Sequence, residues 1–273
     1  FGIMVAQFAG FLAVACYLVA SGILCYRLVN KQTASKVFVL SLGAIALPLH
    51  GFNIQQHIYS AQGLDLGFFN IISLIAWLIA CIHIGISSYR PLFVMSIFAF
   101  PMAAFGLVLS EIFHAPYQPL THLPKGAESH IILSILAYSV LLMAALHAVL
   151  LAIQNKSLKK HRQQHKPLLI QLMPPLQTME SVLFDFIAFG FGLLSLAMIS
   201  GFMSLDNMFA QHVAHKTILT IFAWLIFGTL LAGHHWQGWR GQRAVRFTLL
   251  GFAFLFVGFL GSKLVLELIL QKV

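Results

Sequence analysis

Imidazole is the side chain best suited to holding a metal or moving a proton near neutral pH, and this sequence has 13 histidines against 7 acidic residues. A histidine in or beside an apolar membrane helix is costly to leave unpaired, so each one marks a candidate site. His50 stands near the end of an apolar run in LPLHGF, His130 opens another in ESHIILSILAY, and His212 and His215 precede and open a third in QHVAHKT. Three runs therefore carry imidazole at what their boundaries make one depth, where helical bundles build cofactor sites between facing helices. Two neutral imidazoles from facing helices can fill both axial positions of a haem iron, while apolar walls hold the porphyrin. The expected ligands are His130 with His215, with His50 as competitor or supporting partner and His212 as the alternative to His215. Lys125 and Lys216 stand at the same level and suit haem propionates or lipid headgroups equally well.

The other histidines carry plainer readings. His57, His114 and His122 fall in connections and are expected to be solvated or bonded to backbone. His161 and His165 join Lys159 and Lys160 in a charge run, and His234 and His235 lie with Trp236 and Trp239 at a helix end. His83 and His147 are deeper and are expected to pair across the third and fifth runs. Zinc would favour Cys, Asp or Glu beside His, and Asp65, Glu111, Glu128 and Asp206 follow no recognised spacing. Asp185 and Glu267 stand alone, so no series of carboxylates lines an ion path. The sequence has no HExxH, GxSxG, P-loop or GxGxxG, and a non-enzymatic protein is expected. Cys16, Cys25 and Cys81 form no CxxC or CxxCH, which argues against thiol redox work and covalent haem attachment; they read as small buried hydrophobes.

The elements that must position these residues follow from composition. Of 273 residues 60% are hydrophobic and only 8% charged, with a mean hydropathy of +0.90, so the chain cannot cover a water-facing surface of ordinary size. Spanning helices need about 20 mostly apolar residues, and eight such runs can be drawn, at 3–29, 36–55, 68–88, 91–112, 129–154, 180–203, 214–235 and 244–270. The alternation of a membrane β-barrel is missing. The expected fold is all-α, a polytopic bundle of about eight transmembrane helices, with residues 1–273 as a single domain and no linker. Pro91 and Pro101 punctuate the fourth run, and Thr178 is the expected cap of the sixth.

The formal charge of +9 fits basic residues gathered on the cytoplasmic side better than nucleic-acid binding. Arg27, Lys31, Lys36, Arg90, Lys156, Lys159, Lys160, Arg162, Lys166, Arg240, Arg243 and Arg246 follow the odd-numbered runs, whereas the alternate segments hold Lys125, Lys216 and Lys272. Both termini are therefore expected outside, with the basic 155–178 connection in the cytoplasm.

Several stretches resemble one family. HIILSILAY at 130–138, LPLHGFNIQQHIYSAQGLDLGFFNIISLIAW at 47–77, PPLQTMESVLFDFIAFGFGLLSLAMISG at 174–201 and HKTILTIFAWLIFGTLLAGHHWQGWRGQRAVRFTLLGF at 215–252 are similar, in order and spacing, to the CcsA/CcmC-type cytochrome c assembly membrane proteins. The branch most similar is the YpjD/HemX-like one, and the resemblance runs from the second helix onward. It implies haem binding by histidines and a part in cytochrome c maturation, in a bacterial inner membrane. His130 falls on the family's outward-facing haem-ligand histidine, which opens a helix and is followed by a tyrosine, here Tyr138. His234 lies close to an inner histidine, and Lys216 and Thr217 fall on the PKET segment. The family's Trp-rich WGxxWxWD loop reads here MSLDNMFAQHVAHK, with no Trp, and no histidine follows the last helix. The resemblance therefore implies haem b binding or handling more than direct delivery of haem to apocytochrome c. The implied partners are the lipid bilayer, haem and another membrane protein or maturation component.

A different class of function keeps the fold and drops the cofactor: an accessory or regulatory subunit acting on a partner through the basic 155–178 segment. A small-solute transporter would carry inverted repeats with broken helices, and no such repeat is visible.

Overall fold

The computed structural model describes residues 2–60, 63–113, 126–160, 170–171, 173–204 and 214–269. Eight helical segments among them are long and apolar enough to cross a membrane: α1 Gly2–Val29, α2 Lys36–Ile58, α3 Phe68–Tyr89, α4 Ser96–Ile112 with the turn before it (Phe93–Ile112 together), α5 Ala127–Lys160, α6 Leu176–Ser204, α7 Ala214–Gln237 and α8 Gln242–Phe256 with the turn after it (Gln242–Gly261 together). They match the eight apolar runs one for one. With no water to satisfy a peptide group in the hydrocarbon layer, a helix is the form that bonds its own backbone.

The boundaries differ where proline intervenes. α6 begins at Leu176 rather than near 180, directly after Pro174 and Pro175, and Met179 N–H bonds to the Pro175 carbonyl at 3.1 Å. Proline presets the helical φ at a first turn, so Thr178 lies inside the helix instead of capping it. After Pro91 the chain makes a short 3₁₀ turn, Phe93–Met95, before α4 starts at Ser96. α8 runs on from Phe256 as π-helical turns, Val257–Gly261 and Leu264–Ile269.

The helices fall into two compact units, α1–α4 with Glu267 in the first and α5–α8 in the second. The first packs Ala13, Tyr17, Ala20, Ala80, Phe100 and Leu107 in its core. Small residues let the backbones close in: a β-carbon added to Gly106 of α4 would collide with Ala76 Cβ of α3. A two-residue antiparallel pair, Tyr59–Ser60 with Gly63–Leu64, leads from α2 towards α3. The free N–H groups at the start of α3 meet carboxylates, Gly67 N–H on Asp65 Oδ1 at 2.9 Å and Phe68 N–H on Glu267 Oε2 at 2.7 Å. Negative charge at a helix N-terminus is favourable. Glu267, expected to stand alone, is thus a capping residue. At the opposite end Lys36 Nζ donates to Ser88 O at 2.8 Å, and Arg27 Nη1 to Thr33 O at 3.1 Å.

In the second unit Tyr138 of α5 lies between Phe252 and Phe259, each ring centroid 5.3 Å away. Trp224 of α7 donates Nε1–H to Ser195 Oγ of α6 at 2.8 Å and stacks on Phe191 at 5.4 Å. His234 stacks on Phe184 with centroids 3.6 Å apart, and its Nδ1 bonds the Trp239 carbonyl at 2.8 Å. The bond ties the end of α7 to the turn that follows it.

Candidate functional site

His130 sits in the first turn of α5, and local backbone chemistry fixes it there. Gly126, just before the helix, has φ +89°, where an L side chain is strained, and a β-carbon on it would also press on Ser204 Oγ at the end of α6. The Gly126 carbonyl then accepts from Ser129 Oγ at 2.7 Å and from the His130 N–H at 3.2 Å. The imidazole, half-buried, reaches across to α6, where its Nδ1 lies 2.8 Å from the Ala197 carbonyl. A carbonyl can only accept, so Nδ1 carries the proton, and in the neutral ring Nε2 keeps the lone pair.

The other expected ligands are placed differently. His215 is an exposed residue in the first turn of α7, in the same unit as His130. No hydrogen bond or ring contact between the two is found among the described residues. His212, like Lys125, lies outside the described residues. His50 belongs to the first unit and is fully buried on α2. Its Nε2 bonds Ser73 Oγ at 3.1 Å, Tyr17 meets it edge-on at 6.0 Å, and its Nδ1 is enclosed without a partner. His83 and His147 each bond within their own unit, His83 Nε2 to Ser96 Oγ at 2.8 Å and His147 Nδ1 to the Met143 carbonyl at 3.0 Å.

A second polar cluster, which sequence reasoning passed over, lies in the first unit. His50, Asn53 and His57 stand at positions i, i+3 and i+7 of α2 and so share a face. His57, expected in a connection, is in the last turn of that helix. Its Nε2 approaches Glu111 Oε1 of α4 to 3.2 Å. Asn53 Nδ2 donates to the same Glu111 oxygen at 2.5 Å and to the Ala6 carbonyl of α1 at 3.0 Å. Beside them is a narrow crevice lined by Asn53, Ile54, His57, Asn70, Ser73 and Ser110 among others. The signal available in the sequence was the polar spacing along α2; its partner, Glu111, is 58 residues beyond Asn53. Among the described residues no group of three or more His, Cys, Asp or Glu is placed to hold a metal ion.

Comparison with known proteins places the chain in a family. The inner membrane protein YpjD of Escherichia coli K12 is 29% identical over 262 residues, covering 94% of this chain and 97% of that protein. An uncharacterized 28.8 kDa protein in a nifR3-like 5' region of Azospirillum brasilense is 27% identical over 143 residues, 52% of each chain. No solved structure matches. The model of the family described as cytochrome C assembly protein matches residues 38–270, taking in α2 to α8 with both clusters. This integral membrane protein belongs to the cytochrome c assembly protein family.

Proposed function

We propose that this protein binds and handles haem b without enzymatic turnover, in a bacterial inner membrane, through His130 on the side that the Lys and Arg bias assigns to the outside. The observation that carries the reading is the hydrogen bond from His130 Nδ1 to the Ala197 carbonyl. A metal-ligating histidine ordinarily donates its second ring N–H to a carbonyl or carboxylate, which fixes the tautomer and makes the free nitrogen a better donor. His130 meets that condition and also falls where the family resemblance puts an outer ligand.

Bound haem would supply a redox-active iron centre. The chain's own part is narrower: His130 presents Nε2, Ala197 and the Gly126 turn hold the ring in place, and apolar helices keep water away. His215, an exposed residue of the same unit, would hold the haem together with His130 in this reading, with His212 as its competitor. His50 stays a hydrogen-bonded core residue.

The test is the visible spectrum of the protein purified from cells supplied with haem. The expected result is a Soret band that His130→Ala abolishes or converts from six- to five-coordinate. An unchanged six-coordinate band in that variant removes His130 as ligand. A colourless protein that co-purifies with another membrane component would replace the haem reading with that of an accessory subunit.

A further inference from the structure

Glu111 is a carboxylate at the end of a spanning helix with only 6% of its side chain exposed. A buried charge there needs specific partners and by default marks function. Asn53 supplies one through Nδ2. Another neighbour, His57, behaves oddly for a plain ion pair. Its Nε2 is 3.2 Å from Glu111 Oε1, yet the ring is not aligned to donate, and the buried nitrogen has no hydrogen-bond partner. Asn53 is 1% exposed and its Oδ1 is also buried without a partner. Both Asn53 and His57 line the crevice.

We propose that Glu111, His57 and Asn53 form a binding site for a first-row divalent metal ion, built wholly within the α1–α4 unit. Imidazole nitrogen and carboxylate oxygen each bind such ions at about 2.1 Å. Two ligands at that distance, at angles between octahedral and tetrahedral, stand about 3 Å apart. The 3.2 Å between Nε2 and Oε1, without hydrogen-bond alignment, is the spacing of two donors that face a third body. Asn53 Oδ1 is the available third donor, and its Nδ2 bond orients the carboxylate as a supporting partner should. The crevice is too narrow for an organic ligand, so any ligand there must be held directly by the protein's own donors. One nitrogen with two oxygens suits manganese, iron, cobalt or zinc better than calcium, which takes oxygen alone. Binding requires neutral imidazole and ionised carboxylate, so any proton held between them leaves to solvent.

The sequence could not assemble this set, because its members are conventional neither in spacing nor in number. The site is independent of the haem reading, and the two are tested by different signals. The experiment titrates the chelator-treated full-length protein in detergent with Co²⁺, following the visible d–d bands, and then displaces Co²⁺ with Zn²⁺. One Co²⁺ per chain is expected, bound at least about tenfold more weakly in Glu111→Gln and in His57→Gln. The surface variant His235→Ala should leave it unchanged. His57→Gln serves if Glu111→Gln does not fold, since His57 lies at the more open edge, with 17% of its side chain exposed. No stoichiometric Co²⁺ band, or equal binding in all variants, overturns the proposal. The Soret band should not respond to either substitution, so its loss elsewhere leaves this site untouched.

Discussion

His50 and His130 read alike in the sequence, each an imidazole near the end of a spanning helix, and the fold makes opposite use of them. His50 is fully enclosed, tied to Ser73 and flanked by Tyr17, so its ring is part of the packing of α1–α4. His130 is half-buried, bonded at one nitrogen to a backbone carbonyl, and keeps the other nitrogen for use. Residue type makes a histidine a candidate, but partner and burial decide its role. A ring closed in on every side stabilises a core, whereas a ring fixed at one nitrogen and open at the other can ligate.

That contrast breaks most visibly at His50. His50→Ala removes a buried ring and leaves Ser73 without its partner, so a loss of roughly 2–5 kcal/mol is expected from the cavity and the orphaned hydroxyl. Thermal unfolding in detergent would report it. The haem content of the fraction that still folds should equal that of the unaltered protein. If His50→Ala instead melts normally and loses its Soret band, the roles assigned to the two histidines are reversed.

Gly126→Ala acts on the other side of the comparison. It places a side chain at φ +89° and against Ser204 Oγ, a strain of about 1–3 kcal/mol. The strain falls on the turn that carries His130, so weaker haem retention should accompany a small drop in melting temperature. A drop in melting temperature with haem retention intact would show that the turn does not position the ligand.

These residues also show what a sequence can and cannot disclose. The eight helices are legible because lipid demands long apolar runs, and α1 to α8 answer to them directly. Element ends were less legible where proline chemistry set them, as at Pro174–Pro175 before Leu176. His130 was legible because it opens a helix and sits in a recognisable stretch; its anchor, the Ala197 carbonyl, was not, since any backbone carbonyl could have served. Glu267 looked solitary because its partner, the Phe68 N–H, lies 199 residues away. Glu111 with His57 and Asn53 escaped for the same reason: contacts between helices follow packing, and no spacing along the chain encodes them.

The finest test of the comparison is His215, which is exposed in the first turn of α7 and has little to lose in packing. His215→Ala should therefore shift stability by no more than about 0.5 kcal/mol. Its effect belongs in the spectrum. If His215 fills the second axial position, its removal converts a six-coordinate haem to five-coordinate while His130 retains the iron, and added imidazole restores the original band. If the band is unchanged, the second ligand is another residue, and a parallel His212→Ala measurement identifies whether the neighbouring histidine fills it. Either result sharpens the distinction between a ring that the protein has closed and one that it leaves available, because a ligand lost from an exposed position changes the iron's coordination without changing the fold.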